Sequence, residues 1–223
     1  MSRSPSSVGS PQLLPGEGHA GVAIPAGTYA VVMNGSQRPG QLRPVIRVPA
    51  GYTGNGFAVN TGLRDNGTVE PNARGLSFWG VHGVYTNPCT AGKYPTDPGP
   101  SVADLAQALA SQPLRAGTDP APVNVAGYAG LFIKTSVPAR IDLTMCKDGY
   151  FDSWTSTNGG GRFEQGPGEK DRLWILNIHG TGGRATGLPY RLVIDGWHMP
   201  EATPREINQI TRMVKTLTFQ APS

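Results

Sequence analysis

Cysteine is almost absent from this sequence: Cys89 and Cys146 are the two in 223 residues. They form no CxxC pair, which excludes a redox dithiol motif, and they fall short of the about four ligands of a structural zinc site. Histidine is equally scarce. His19, His82, His179 and His198 have no metal-ligand spacing to one another, so no metal is expected. No apolar stretch approaches the ~20 residues of a membrane-spanning helix. The signatures HExxH, GxSxG, GxxxxGKS/T and a GxGxxG opening a helix are missing, and no cofactor is expected. Gly180-Thr-Gly-Gly183 follows one strand but precedes another, which leaves no helix N-terminus for a phosphate.

Charge is also low. Charged residues make up 15% of the chain and apolar ones 38%, while Gly (31) and Pro (21) take up the difference. These punctuate apolar runs, so they read as turns and long loops in a β-rich domain. The net charge is +4. The cations are scattered with no Lys/Arg run, which suits a solvated basic surface better than a dedicated polyanion site. Nucleic acid is not expected as a partner. A weak attraction to anionic cell-wall polymer or lipid headgroups fits the same charge.

Residues 1–23 are rich in Ser, Pro and Gly without periodicity and read as a disordered linker; residues 24–223 read as a single α+β domain. The start lacks the apolar core of a signal peptide and looks like a linker cut from something longer, so an export signal or anchor is expected to lie outside this chain. Short strands are expected at Tyr29–Met33, Val45–Val48 and Phe57–Val59, with a loop from Thr61 to Gly75. Leu76–Tyr85 alternates with apolar residues on both faces, as a central strand does. Ser101-Val-Ala-Asp104 is a capping-box variant that opens a helix, ended by Pro113. Val123–Val125 and Leu131–Thr135 make a hairpin across Gly127. The stretch Ile141–Gly168 reads as a long irregular loop. Leu173–Ile178 and Tyr190–Ile194 are two more strands. Thr203-Pro-Arg-Glu206 then starts an amphipathic helix with apolar residues at Ile207, Ile210, Met213, Val214 and Leu217. The expected fold is α+β, a single antiparallel sheet of about six or seven strands flanked by two principal helices.

Both cysteines sit in turn-like contexts, and their even count points to a Cys89–Cys146 disulfide and an oxidising compartment. The alternative is a pair of buried free thiols in a cytosolic protein. If the bridge exists, it ties the loop Asp148–Trp154 just beyond Tyr85. That brings aromatics to a strand end carrying a few polar groups. The candidate ligand-binding residues are therefore Trp79, His82, Tyr85, Asp152, Trp154, Arg172 and Trp174. The competing account is that the loop simply caps the core.

Several segments carry a resemblance. They are Trp79-Gly-Val-His-Gly-Val-Tyr85, the Pro-Gly-Pro-Ser before the first helix, Asp148-Gly-Tyr-Phe-Asp-Ser-Trp154, Gln165–Trp174, Tyr190–Asp195 and the Thr-Pro-Arg-Glu helix. Together they resemble extracytoplasmic domains of actinobacterial proteins whose role is unknown, from about Ile24 to Phe219. More remotely, the element order is similar to PsbP-like α/β/α domains and lipoproteins of that fold. The resemblance implies an extracellular or cell-surface location and transfers no catalytic residue. The leading functional expectation is a non-enzymatic extracytoplasmic module that binds a small molecule, cell-wall polymer or protein. The alternative is an envelope-directed hydrolase with an Asp/Glu–His site drawn from His82, Asp152 and Glu164.

Overall fold

Short apolar runs punctuated by Gly and Pro recur along the chain, and strands dominate the result. The computed structural model describes residues 10–16, 20–34, 42–90, 95–157, 159–178 and 190–220. In chain order the strands are β1 (Gln12–Leu13), β2 (Val22–Ile24), β3 (Gly27–Ala30), β4 (Arg43–Val48), β5 (Tyr52–Gly54), β6 (Ala58–Leu63) and β7 (Val69–Val84). Helix α1 (Val102–Ala110) follows, then β8 (Ala116–Gly117), β9 (Ala121–Val125), β10 (Tyr128–Ser136), β11 (Asp152–Ser156), β12 (Gly161–Phe163), β13 (Lys170–Ile178) and β14 (Tyr190–His198). Helix α2 (Pro204–Lys215) and β15 (Thr218–Gln220) end the chain.

Two sheets form. One has four strands in the order β1-β3-β4-β15. The other has 11 strands, with the main path β2-β5-β6-β7-β14-β13-β10-β8; β9 pairs with β10, and β11 joins β12 to β7. The β1–β3 pair is parallel, and the other ladders are antiparallel.

Register sorts the central side chains onto two faces. Phe78, Ile194, Trp174 and Phe132 lie in one row across β7, β14, β13 and β10. Their face packs with Ile46 and Val48 of β4 and with Ile210, Met213 and Val214 of α2. Trp79, Val193 and Ile175 form the neighbouring row and point the other way. That face is covered by Leu105 and Leu109 of α1 and by Trp154 of β11. The large sheet is thus the middle layer, apolar on both sides, which explains why β7, β13 and β14 carry little alternation of polarity.

Both helices begin with a capping box, Ser101 with Asp104 and Thr203 with Glu206. Each box satisfies two otherwise orphaned N–H groups. Helix α2 lies so close to β14 that a Cβ on Gly196 would stand 2.7 Å from Ile210 Cγ2. Among the described residues no helix is long and apolar enough to cross a membrane.

The expected single sheet of six or seven strands, and the PsbP-like layering that went with it, are therefore corrected to two sheets with two helices. The physical cause lies in the loops. The span 61–75 is largely the β6–β7 hairpin, and part of 141–168 pairs as β11 and β12. Glycines and polar residues there find ladder partners although they carry no strand pattern. Within the stretch read as linker, residues 12–13 pair with β3, Leu14 is buried, and residues 22–24 pair with β5. Residues 1–9, His19 and the connection 179–189 lie outside the described residues.

Cys89 and Cys146 are bridged, with Cα atoms 4.4 Å apart and 57 positions between them in sequence. The link joins the exit of β7 to the approach to β11. Closing a loop of that length stabilises a fold by about 4 kcal/mol in the chain-entropy account. The double variant Cys89→Ser/Cys146→Ser should lose about that much in urea titration. A loss under about 1 kcal/mol would show that the bridge constrains nothing the ladders do not already hold.

Candidate functional site

At the end of β7 the chain turns away from the sheet, and several contacts fix the turn. Tyr85 N donates to Ser153 O at 3.2 Å, Asp152 N to Pro88 O at 2.8 Å and Lys147 N to Cys89 O at 2.8 Å. Gln112, just past α1, donates from Nε2 to both Tyr85 O (3.0 Å) and Ser153 O (2.8 Å). Asn87 Oδ1 accepts from the backbone N–H groups of Cys89 and Thr90. With the disulfide, these bonds hold open a shallow depression of about 170 Å³ lined by Tyr85, Thr86, Asn87 and Thr90.

Asp152 stands beside it. Burial, then the charges of Asp148 and Glu164, raise its carboxyl to about 6. The Tyr85 phenol is raised as well, by burial and by Asp152. Both shifts disfavour the charged form relative to a free side chain, and they bring the Asp152 carboxyl close to neutral pH. On the segment that follows the bridge, Tyr150 packs against Phe163 with ring centroids 4.8 Å apart, and Met145, just before Cys146, is 80% exposed.

The structure brings together part of the set expected from sequence. Trp79 and Trp154 meet edge to face at 5.8 Å, and Tyr85 and Asp152 adjoin the depression. Trp174 lies on the opposite face of the sheet, and Arg172 turns with it, donating to Thr211 Oγ1 of α2 at 3.2 Å. Trp79, Trp154 and Trp174 are all buried. His82 is exposed. From the β7–β11 register, Asp152 lies three to four strand positions beyond the point opposite His82, roughly 10–13 Å away. Glu164 is fully buried and ion-paired. The three residues of the hydrolase alternative do not converge.

Sequence reading missed the most unusual feature of the chain. Beneath β11, six charged side chains are buried together: Arg115, Arg162, Glu164, Glu169, Asp171 and Asp195. Arg162 is the hub. Its Nε donates to Asp195 Oδ2 at 2.7 Å, and its Nη2 faces Glu169 Oε1 (2.6 Å), Glu164 Oε2 (3.0 Å) and Asp171 Oδ1 (3.3 Å). Arg115 pairs with Glu164 at 2.9 Å and with Asp171, and its Nη2 donates to Thr135 Oγ1 at 2.6 Å. Ser77 links Asp195 to the indole N–H of Trp79.

Glu164, Glu169 and Asp171 converge closely enough to suggest a metal. The point they converge on is Arg162 Nη2, so the guanidinium already supplies the cation. Two guanidinium groups face four carboxylates, and the excess negative charge must be met by protons. Burial raises Glu169 well above its ordinary value, Asp171 to about 8, and Asp195 in the same direction. Glu164 moves the other way: burial opposes ionisation, but Arg162, Arg115 and the Ser153 hydroxyl outweigh it. One signal was available in the sequence. Arg162 and Glu164 alternate at strand period, and Asp171 shares a face with Leu173 and Ile175, so a polar row had to enter the core.

No family model and no curated protein matches the chain. Among solved structures it is similar to the crystal structure of LpqN, described as involved in cell envelope biogenesis of Mycobacterium tuberculosis, at 10% identity, with 87% of this chain and 91% of that chain covered and a TM-score of 0.43.

Proposed function

We propose that this chain is a non-enzymatic extracytoplasmic binding module whose ligand seats at the end of β7. One observation carries the reading: a disulfide and seven hydrogen bonds to or from the backbone hold a depression that combines the Tyr85 ring with hydroxyl and amide groups and adjoins Asp152. Such a preformed mixture of aromatic and polar groups is the usual makeup of a small-molecule site. The disulfide supports a location outside the reducing cytosol.

The depression is smaller than the ~300–1,000 Å³ of drug-sized pockets. It suits one sugar or amino-acid unit, free or at the end of a polymer. Trp79 and Trp154 belong to the buried core and do not line the depression. Thermal shift of the full chain against a panel of envelope sugars, amino acids and short peptides tests this. A ligand that raises the melting temperature should lose affinity roughly tenfold with Tyr85→Ala and less with Asp152→Asn. Ligands whose shift survives Tyr85→Ala bind elsewhere, and the assignment fails.

A further inference from the structure

The cations that look scattered in sequence are gathered by the fold. Of the 19 basic and 15 acidic residues, two and four respectively are locked in the buried cluster, which leaves 17 positive against 11 negative residues outside it. Their distribution is one-sided. None of the residues 10–16, 20–34, 42–63 and 207–220 is Asp or Glu. These spans contain all four strands of the smaller sheet and the last three-quarters of α2.

Arg205, Asn208, Arg212 and Lys215 follow one another at helical spacing on the exposed side of α2, opposite its buried Ile210, Met213 and Val214. At the helix end, Thr216 Oγ1 accepts from Arg47 N at 2.9 Å, so β4 continues where α2 stops. Arg47 is exposed, and Arg43 shares its face four residues along the strand. No carboxylate pairs with Arg43, Arg47, Arg205, Arg212 or Lys215 among the described residues. The helix contributes roughly 15 Å of this row and the strand roughly 13 Å.

From this geometry we infer that the α2–β4 row is a docking strip for a linear polyanion, an envelope polymer with phosphate or carboxylate groups at regular intervals. A strip of several separated cations fits a chain of charges better than a single ion. Four of the five are arginines, whose planar donors match phosphate and carboxylate oxygens. Nucleic acid is disfavoured as the occupant: among the described residues no exposed aromatic side chain is interleaved with these cations to stack on bases, and the disulfide argues for a compartment without it. The strip is separate from the depression at Tyr85 and does not depend on a ligand there.

The test uses the full chain with two probes, long-chain polyphosphate and polyglutamate, titrated at low and at physiological salt. At least one should bind, and binding should weaken steeply with salt because the contacts are exposed. Arg47→Glu/Lys215→Glu should cost about tenfold or more in affinity. The charge-matched control Arg140→Glu/Lys147→Glu, near the disulfide, should stay within about twofold. Equal losses in the two double variants would mean that net charge alone is felt, and would overturn the strip. So would failure of both polymers to bind at low salt. Tighter binding of single-stranded DNA or of phosphatidylglycerol vesicles than of either polymer would give the strip another occupant and overturn the proposal equally.

Discussion

Arg162→Met is expected to destabilise the protein by roughly 5 kcal/mol, the upper end of what breaking a buried ion pair costs. The side chain faces four carboxylates and is 4% exposed. Its Nη1 also donates to Phe163 O. Methionine fills comparable volume, so the cavity contribution is small and the loss is electrostatic. What remains is four acids around Arg115 alone, and they cannot leave the core without unpairing β11 and β12. The partners carry the penalty, because a buried carboxylate without a donor is worse than none. Denaturant titration measures the effect. A loss under about 1 kcal/mol would mean that water or relaxation replaces the guanidinium, and the cluster would not be the closed network described.

Stability should fall as pH rises from about 4 to about 8, by a total on the order of 5 kcal/mol for the Asp171 proton alone. The sign follows from which state holds protons. In the unfolded chain Asp171 ionises near its ordinary value, whereas in the folded chain its carboxyl is pushed up to about 8. Its contribution is therefore fully present below the unfolded value and is lost as pH rises through the folded one. Glu169 and Asp195 are raised and act in the same direction. Glu164 is lowered, so its stabilisation is present above its unfolded value and is lost as pH falls through the folded one. The optimum should lie near pH 4–5. Urea midpoints at pH 5 and pH 8.5 check this, and equal midpoints would refute it. Asp195→Asn offers a second reading. Asp195 Oδ2 accepts from Arg162 and Ser77, while Oδ1 has no hydrogen-bond partner among the described residues. An amide nitrogen at Oδ1 mimics the neutral acid, so the variant should lose part of the pH dependence with little cost at pH 8.

What was legible in the sequence followed local rules. Ser101 with Asp104, and Thr203 with Pro204 and Glu206, mark helix starts because capping is settled within four residues. The apolar runs of β7, β13 and β14 mark the middle layer for the same kind of reason. The short strands were not legible. Gln12–Leu13, Ala116–Gly117 and Gly161–Phe163 have no intrinsic strand preference, and each exists because a longer partner offers unpaired N–H and C=O groups. At the candidate site, the cysteine pairing ties the loop that carries Asp152 to the strand end at Tyr85. Arg172 and Trp174 fell away because they occupy the even positions of β13, which face α2. The buried cluster joins residues from four separate stretches, and no local window contains the reason for it.

The register of β7 also bears on how the chain comes to be folded. One edge of this strand finds β6 at once, across a short hairpin, but the other edge needs β14, with Phe78 opposite Ile194. More than a hundred residues must emerge from the ribosome in between, about 6–23 s at ordinary synthesis rates. During that time Leu76, Phe78 and Trp79 form a sticky, half-paired hairpin prone to pairing with other chains. A nascent chain of this design gains from being kept loose until its last third is available. Folding after delivery, rather than during synthesis, is the order its topology rewards.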